Sequence, residues 1–171
     1  MRSRSRFQRD RSLACWATAE PALIGYMPEE RGLSRKMRVG EHLLYLARLK
    51  GLPKRKARAA LQEWMDHFGI LDWWGKKIEE LSKGMQQKIQ FIATVVHRPP
   101  LLILDEPFSG LDPINTNLIK DEIDKMAREG TSIIFSTHRM EQVEEVCQHI
   151  VLITQGRNVL EGPVDEVKRR F

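Results

Sequence analysis

The chain has 171 residues, a length that suits one domain with its own hydrophobic core. Hydrophobic residues make up 42% of it and charged residues 30%, which excludes an intrinsically disordered chain. The sequence contains no apolar run of the roughly 18 residues needed to cross a bilayer. The net charge is +5, and residues 1–11 supply +4 of it, from five arginines against Asp10. The other 160 residues are nearly neutral in sum, so we expect no nucleic-acid partner.

Hydrophobic periodicity and turn residues predict the elements in chain order. They are a strand at 22–27, helices at 39–50, 54–68 and 82–97, a strand at 101–104, a helix at 114–129, a buried strand at 131–137, a helix at 139–147, strands at 150–154 and 159–161, and a helix at 163–170. Strands that alternate with helices after residue 100 indicate an α/β fold with a parallel sheet. A mainly helical block precedes them.

The domain division follows from these elements. Residues 1–22 show no clear helical or strand periodicity, and we treat them as a basic tail without an assigned structure. Residues 23–171 form one unit, with a helical subdomain at about 36–98 and an α/β core at about 99–171.

Asp105 and Glu106 directly follow the apolar strand at 101–104. Carboxylates at the carboxyl edge of a parallel sheet lie where such folds bind ligands. The first is in position to hold Mg²⁺, and the second can polarise a water molecule for attack on a phosphate. By itself this pair also fits an ordinary polar loop.

Three further motifs accompany that pair in a fixed order. Leu81-Ser82-Lys83-Gly84-Met85-Gln86-Gln87 stands upstream, Ser109-Gly110-Leu111-Asp112-Pro113 follows, and Phe135-Ser136-Thr137-His138 ends the next strand. Together the four resemble the signature motif, Walker B strand, D-loop and switch histidine of ABC-transporter nucleotide-binding domains. The resemblance covers about residues 23–171. It implies a partial P-loop NTPase (RecA-like) sheet with a helical subdomain, and ATP and Mg²⁺ as cofactors.

The resemblance also implies a role for each motif residue. Asp105 would hold Mg²⁺, Glu106 would be the catalytic carboxylate, and His138 would contact the γ-phosphate. The signature motif would bind an ATP held by the opposite subunit, through Leu81, Ser82, Lys83, Gly84 and Met85. A helix N-terminus suits that task because its amides and dipole attract phosphate, although Ser82 also fits a plain N-cap.

Two more positions carry the resemblance with variations. Asp112 would belong to the D-loop that couples the two ATP sites. Glu29 stands where the family usually has glutamine, as a site residue and a possible Mg²⁺ ligand. Lys83 and Met85 replace the more common glycine and glutamine. This variant looks most like the ATP-binding subunits of ABC-2-type exporters, including the sodium-efflux group.

The implied function is ATP binding and hydrolysis that powers transport through separate transmembrane permease subunits. The subunit would dimerise with itself or another ATP-binding subunit, in the cytoplasm at the inner face of the membrane. One alternative is a non-enzymatic partner that supplies its signature motif in trans. Another is an RNA-binding protein that acts through its arginine tail.

The P-loop sequence G-x-x-x-x-G-K-[ST] is absent from these 171 residues. The nearest match, Gly69 to Gly75-Lys76, is one residue too long, and Lys77 stands where serine or threonine is required. The fold is therefore expected to lack the N-terminal strands and the P-loop, and to expose an apolar face of its sheet.

We predict that the isolated chain does not bind ATP tightly in the presence of Mg²⁺, because no amide cradle surrounds the phosphates. Equilibrium binding of a fluorescent ATP analogue measures this, with a P-loop-bearing ABC subunit as the positive control. Saturation of both proteins at the same nucleotide concentration would contradict the prediction.

Overall fold

The computed structural model describes residues 23–30 and 32–170, so the predicted basic tail at 1–22 lies outside the described residues. The helices are α1 Val39–Leu49, α2 Lys54–His67, α3 Lys83–Val95, α4 Pro113–Arg128, α5 Met140–Val146 and α6 Val164–Arg170. The strands are β1 Ile24–Met27, β2 Leu101–Asp105, β3 Ser132–Ser136, β4 His149–Thr154 and β5 Arg157–Pro163. Each predicted element is present, with ends within two residues of those predicted.

Strands β1, β2 and β3 form a parallel sheet in that order, which confirms the α/β fold class. The register pairs Met27 with Leu104 and Leu104 with Phe135, so the carboxyl ends of all three strands lie at one edge. Strands β4 and β5 form a separate antiparallel hairpin. No helix in the described ranges is both long and apolar enough to span a bilayer.

Helices α1, α2 and α3 form the helical block, which lies between β1 and β2 in the chain. Their buried residues recur at helical spacing, with Leu43 and Ala47 on α1 and Leu61 and Met65 on α2. These positions pack with α3, whose last nine residues, Gln87–Val95, are all buried. Because α3 also contacts β1, it joins the helical block to the sheet.

Trp74 lies against the backbone of α1. A Cβ atom at Gly40 would come within 2.2 Å of its indole ring, so only glycine fits there. The Gly40 amide also donates to the Trp74 carbonyl oxygen at 3.0 Å. This contact fixes the start of α1 against the connection between α2 and α3, and it gives Trp74 a packing role.

The prediction of a buried strand at 131–137 is wrong. In β3 the side chain of Ile134 is 60% exposed, and Ser132 and Ser136 are exposed as well. The reason is that the sheet face that carries Ile134 is open, as the exposed Tyr26 of β1 on the same face also shows, while α4 contacts β3. Tyr26, Ile103 and Ile134 lie side by side on the open face, as the expected apolar surface.

His42 is a buried polar residue of α1 that carries an unusual cost. It is 2% exposed, and neither ring nitrogen has a hydrogen-bond partner. Burial lowers the pKa of His42 below 6.5, because the charged imidazolium loses its hydration. The fold therefore favours the neutral ring over the charged one.

We predict that the fold loses stability as pH falls below 6.5. Below that pH, His42 binds a proton in the unfolded chain, whereas buried His42 in the folded chain stays neutral until a lower pH. The stability is fully present above that pH and declines toward the folded pKa. Urea unfolding at about pH 7.5 and about pH 5.5 should show a smaller loss for His42→Leu than for the wild type. His97, whose pKa burial also lowers, supplies the remaining slope. The exposed His149→Leu is the control, and an equal slope in all three proteins would contradict the prediction.

Candidate functional site

Asp105 ends β2 at the carboxyl edge of the sheet, directly opposite Ser136 of β3. The Ser136 hydroxyl donates a hydrogen bond to Asp105 Oδ1 at 2.5 Å. Asp105 Oδ2 has no hydrogen-bond partner within the described parts of the chain. The strand register thus presents one free carboxylate oxygen at the edge where the motifs predict a ligand.

Glu106 begins the loop after β2 in a left-handed backbone conformation, with φ of 46°. Such a conformation costs a non-glycine residue of order 1–3 kcal/mol and occurs mostly where the surrounding structure enforces it. Here the Glu106 amide donates to the Ser136 carbonyl oxygen at 3.0 Å. The strained backbone turns the Glu106 side chain toward the residues that follow β3.

His138 holds the Glu106 carboxylate with two groups. Its backbone amide lies 2.8 Å and its Nδ1 atom 2.6 Å from Glu106 Oε1. Thr137 Oγ1 lies 3.3 Å from the other oxygen, Oε2. Because a carboxylate oxygen accepts, Nδ1 of His138 is the donor in this contact. The Glu106 side chain is 13% exposed and that of His138 is 77% exposed, so the histidine forms the solvent side of the pair.

Ser82 is the N-cap of α3, as its residue type predicts. Its Oγ atom accepts a hydrogen bond from the Met85 amide at 3.2 Å. The first amides of a helix have no intrahelical acceptor, so those of Lys83 and Gly84 are the donors available to an anion. Lys83 is exposed beside them. Leu81 is 5% exposed and packs in the core, so a nucleotide can meet only its backbone.

The signature helix and the D-loop are in direct contact. A Cβ atom at Gly84 would lie 2.9 Å from the Gly110 carbonyl oxygen. Gln87, which is 1% exposed, donates to the Pro107 carbonyl oxygen at 2.9 Å. The start of α3 is therefore tied to the loop that follows the Walker B carboxylates. The sequence motif contains Gln87, but its periodicity alone does not reveal this positioning role.

Asp112 is the N-cap of α4, with Pro113 in the first turn. Its carboxylate accepts from the Asn115 amide at 3.0 Å and from the Asn115 side chain at 2.5 Å. These hydrogen bonds lower the pKa of Asp112 below its usual value. The exposed D-loop carboxylate is therefore ionised and held in one orientation.

Glu29 follows β1 at the same edge of the sheet as Asp105 and Glu106, since Met27 pairs with Leu104. It is exposed and lines a cleft of about 460 Å³. The cleft is also lined by Arg35 before α1, Gln86 in the first turn of α3 and Ser109 in the loop after Glu106. The structure thus brings Asp105, Glu106 and His138 together, and Glu29 lines a cleft at the same edge.

The donor set at Asp105 fits Mg²⁺ in chemical type. Mg²⁺ prefers oxygen ligands and is usually bound by one or two carboxylates with water and substrate phosphates. Asp105 supplies such an oxygen, and the Ser136 hydroxyl lies beside it. Within the described residues no group of three or more histidine, cysteine or acidic side chains forms a metal cage.

Comparisons with known proteins define the family of the chain. The family model described as "ABC transporter" matches residues 7–109, more than half of the chain. The uncharacterized ABC transporter ATP-binding protein YhaQ of Bacillus subtilis (strain 168) is 55% identical over 86% of this chain and 50% of YhaQ. The ABC transporter ATP-binding protein NatA of the same strain is 32% identical over 81% of this chain and 56% of NatA.

A solved structure, titled "Structure of ATP binding subunit of ABC transporter", superposes with a TM-score of 0.80 and 29% identity. The match covers 87% of this chain and 62% of that one. The chain therefore belongs to the ABC transporter family, which confirms the resemblance, and it spans about half the length of the curated relatives it matches. The family match begins within the residues assigned to the basic tail, and the boundary at residue 23 stays a prediction.

We predict that Gly84→Ala lowers the free energy of unfolding by about 1–3 kcal/mol, because the added methyl meets backbone at Gly110. Alanine would otherwise strengthen a helix by about 1 kcal/mol, so a loss isolates the contact. Urea unfolding measures the change. Gly32→Ala is the control, since a Cβ there meets nothing within 4 Å. Equal or greater stability of Gly84→Ala would show that the D-loop contact is absent.

Proposed function

We propose that this chain is the catalytic part of an ATP-binding subunit that hydrolyses ATP to power transport through separate permease subunits. One observation carries the proposal: Glu106 is held at the carboxyl edge of the sheet by both donors of His138. A carboxylate in that position can accept a proton from an attacking water molecule. The family membership supports ATP as the substrate.

Each residue then has a defined task at the reaction centre. Glu106 orients and deprotonates the water, while His138 holds that carboxylate and presents its ring to the γ-phosphate. Mg²⁺, held through Asp105, would neutralise the phosphate charge. Since Glu106 is mostly buried and His138 mostly exposed, a phosphate that approaches from solvent meets the histidine first.

The signature residues serve the ATP of the opposite subunit. The amides of Lys83 and Gly84 and the Ser82 hydroxyl lie at the N-terminus of a 13-residue helix, which favours an anion. Lys83 adds a positive charge at the same place. Asp112 is ionised and caps α4, and we assign it to coupling the two ATP sites across a dimer.

Partners and location follow from the same assignment. The subunit would dimerise with itself or with another ATP-binding subunit and would bind transmembrane permeases on the cytoplasmic side of the membrane. The likeness to NatA supports the ABC-2 exporter group, with the sodium-efflux kind among its members. Glu29, which lines the cleft, is assigned to the site position where the family usually has glutamine. The helical subdomain at 36–98 and the core at 99–171 remain the proposed division.

A second function is compatible with the same geometry. The chain would supply only its signature motif, in trans, to a subunit that carries a P-loop. The observation in its favour is that the α3 N-terminus is complete within this chain, with Ser82, Lys83 and Gly84 in place, whereas the 171 residues contain no P-loop sequence.

The test joins residues 23–171 behind the P-loop segment of an ABC ATP-binding relative and measures ATP turnover. Glu106→Gln should lower turnover by about 10²–10⁴-fold, the usual contribution of a general base. Ser82→Ala should lower turnover as well, because each ATP site in the dimer is completed by Ser82 of the opposite subunit. Glu129→Gln, at an exposed position after α4, is the matched control.

The two functions are separated by a second mixture, in which the chain without the added segment is combined with an intact P-loop-bearing subunit. Loss of turnover with Ser82→Ala and not with Glu106→Gln in this mixture supports supply in trans. Full turnover of the joined protein with Glu106→Gln would contradict the hydrolytic proposal.

A further inference from the structure

A strongly basic segment lies at the turn between α1 and α2. Residues 42–62, which we term the basic hairpin, contain six cationic side chains and no acidic one. These are Arg48, Lys50, Lys54, Arg55, Lys56 and Arg58. The net charge of the whole chain is +5, so the other 150 residues together carry −1. The basic hairpin therefore carries more net positive charge than all other residues of the chain together.

These cations face solvent and are not neutralised. Arg48, Lys54, Arg55, Lys56 and Arg58 are all exposed. None of the six forms an ion pair within residues 23–30 and 32–170. Arg58 stacks on the Trp74 ring at 5.5 Å, and Lys50 donates to a backbone carbonyl oxygen. Unpaired cations grouped at this density create a positive potential that attracts an anionic surface.

The position of three of these cations opposes the stability of the helix. Lys54, Arg55 and Lys56 occupy the first turn of α2, where the helix dipole is positive and acidic side chains are favoured. That turn has no acidic residue, and Pro53 provides no side-chain cap. An arrangement selected for folding alone would place aspartate or glutamate here. These cations do not stabilise the helix, so their presence indicates that they bind something outside the domain.

Exposed apolar side chains accompany the cations. On α1, Tyr45 is 54% exposed and Leu49 is 55% exposed, on the side opposite the buried Leu43 and Ala47. The Leu52 amide donates to the Ala47 carbonyl oxygen, so the chain folds back within the last turn of α1. Leu49 is the last residue of α1, five positions before Lys54 begins α2. Cations with exposed aromatic and aliphatic groups are the combination that binds the interface of a charged bilayer.

We propose that the basic hairpin is a docking surface for a bilayer that contains anionic phospholipid. The cations contact lipid headgroups, and Tyr45 and Leu49 enter the interfacial region between them. The area needs no folded groove, because the attraction is electrostatic and the apolar groups are already exposed. This contact is separate from the ATP chemistry, since none of its residues belongs to the motifs at 81–87, 105–113 and 135–138, and it requires no nucleotide.

The choice of a bilayer over other polyanions rests on the apolar pair. A nucleic acid also binds cations, and Tyr45 could stack on a base, but it would make no use of the exposed Leu49, whereas both side chains partition into a bilayer interface. An acidic protein segment would be expected to pair with the cations through defined side-chain contacts. It would then bind equally well whether or not a lipid surface is present.

The experiment measures co-sedimentation of the full chain with vesicles of phosphatidylglycerol and phosphatidylcholine in equal amounts, without nucleotide. Vesicles of phosphatidylcholine alone report adhesion of the open sheet face. The wild type should bind the anionic vesicles and lose that binding as salt increases. Each cation removed should weaken binding roughly fivefold. The triple variant Lys54→Gln, Arg55→Gln, Lys56→Gln should therefore bind about 100-fold more weakly.

The matched control removes the same charge elsewhere, with Arg157→Gln, Lys168→Gln and Arg169→Gln at exposed positions of β5 and α6. It should bind almost as the wild type does. Equal losses in the two triple variants would overturn the proposal, because net charge would then explain the binding. Equal binding of wild type to neutral vesicles would overturn it as well. The proposal would also be overturned if single-stranded RNA binds through Lys54–Lys56 and displaces the protein from the vesicles.

A stability measurement separates lost binding from lost folding. Removing three cations from the first turn of α2 should leave the free energy of unfolding unchanged or raise it, because the helix dipole is relieved. Urea unfolding of the triple variant checks this. If the triple variant is less stable, the pair Arg48→Gln with Lys56→Gln repeats the vesicle test. Unchanged vesicle binding by a folded variant of either kind would overturn the proposal.

Discussion

Helix α3 is the element on which both halves of the fold depend. Its residues from Gln87 to Val95 are buried between the α1–α2 pair and the sheet. Two glutamines attach it to the loops of the sheet: Gln90 donates to the Pro28 carbonyl oxygen at 2.6 Å, and Gln87 to that of Pro107 at 2.9 Å. A buried amide that loses such a partner costs about 1–3 kcal/mol, so the helix has little freedom to shift. The position of Ser82, at the exposed end of this helix, is set by the core.

This arrangement links the two chemical parts of the site within one chain. The backbone of the loop after Glu106 accepts from Gln87, and the D-loop carbonyl of Gly110 lies against Gly84. A displacement of the α3 N-terminus must therefore move the loop that carries the Walker B carboxylates, or break these contacts. The strained φ of Glu106 is maintained by the Ser136 carbonyl oxygen at the end of β3 and by the two donors of His138, just after that strand.

Secondary structure and motif order could be predicted well from the sequence because they depend on local signals. Ser82 and Asp112 are strong N-cap residues, and both cap the helices they precede. The expected lack of the N-terminal strands predicted an open apolar face of the sheet, and Ile134 lies on it. Which residues of the β-branched run at 131–137 face that side depends on the strand register, which no local pattern encodes.

The charge distribution shows a different limit of sequence reasoning. Outside residues 1–11 the net charge is small, which suggested a neutral domain, yet the sum conceals +6 in residues 42–62. A count over shorter windows would have found this segment. The positioning role of Gln87 and the hydrogen bonds to Glu106 are tertiary contacts across 20 and 32 residues, which no local pattern encodes.

The central claim is that the α3 N-terminus and the Glu106–His138 pair are the two ATP-facing parts of one ABC subunit. Its most direct test is a structure of this chain with a P-loop-bearing ABC subunit, Mg²⁺ and a non-hydrolysable ATP analogue. The account predicts a γ-phosphate about 3 Å from Ser82 Oγ and from the amides of Lys83 and Gly84. A complex in which that helix end faces solvent, with the nucleotide bound elsewhere, would contradict it.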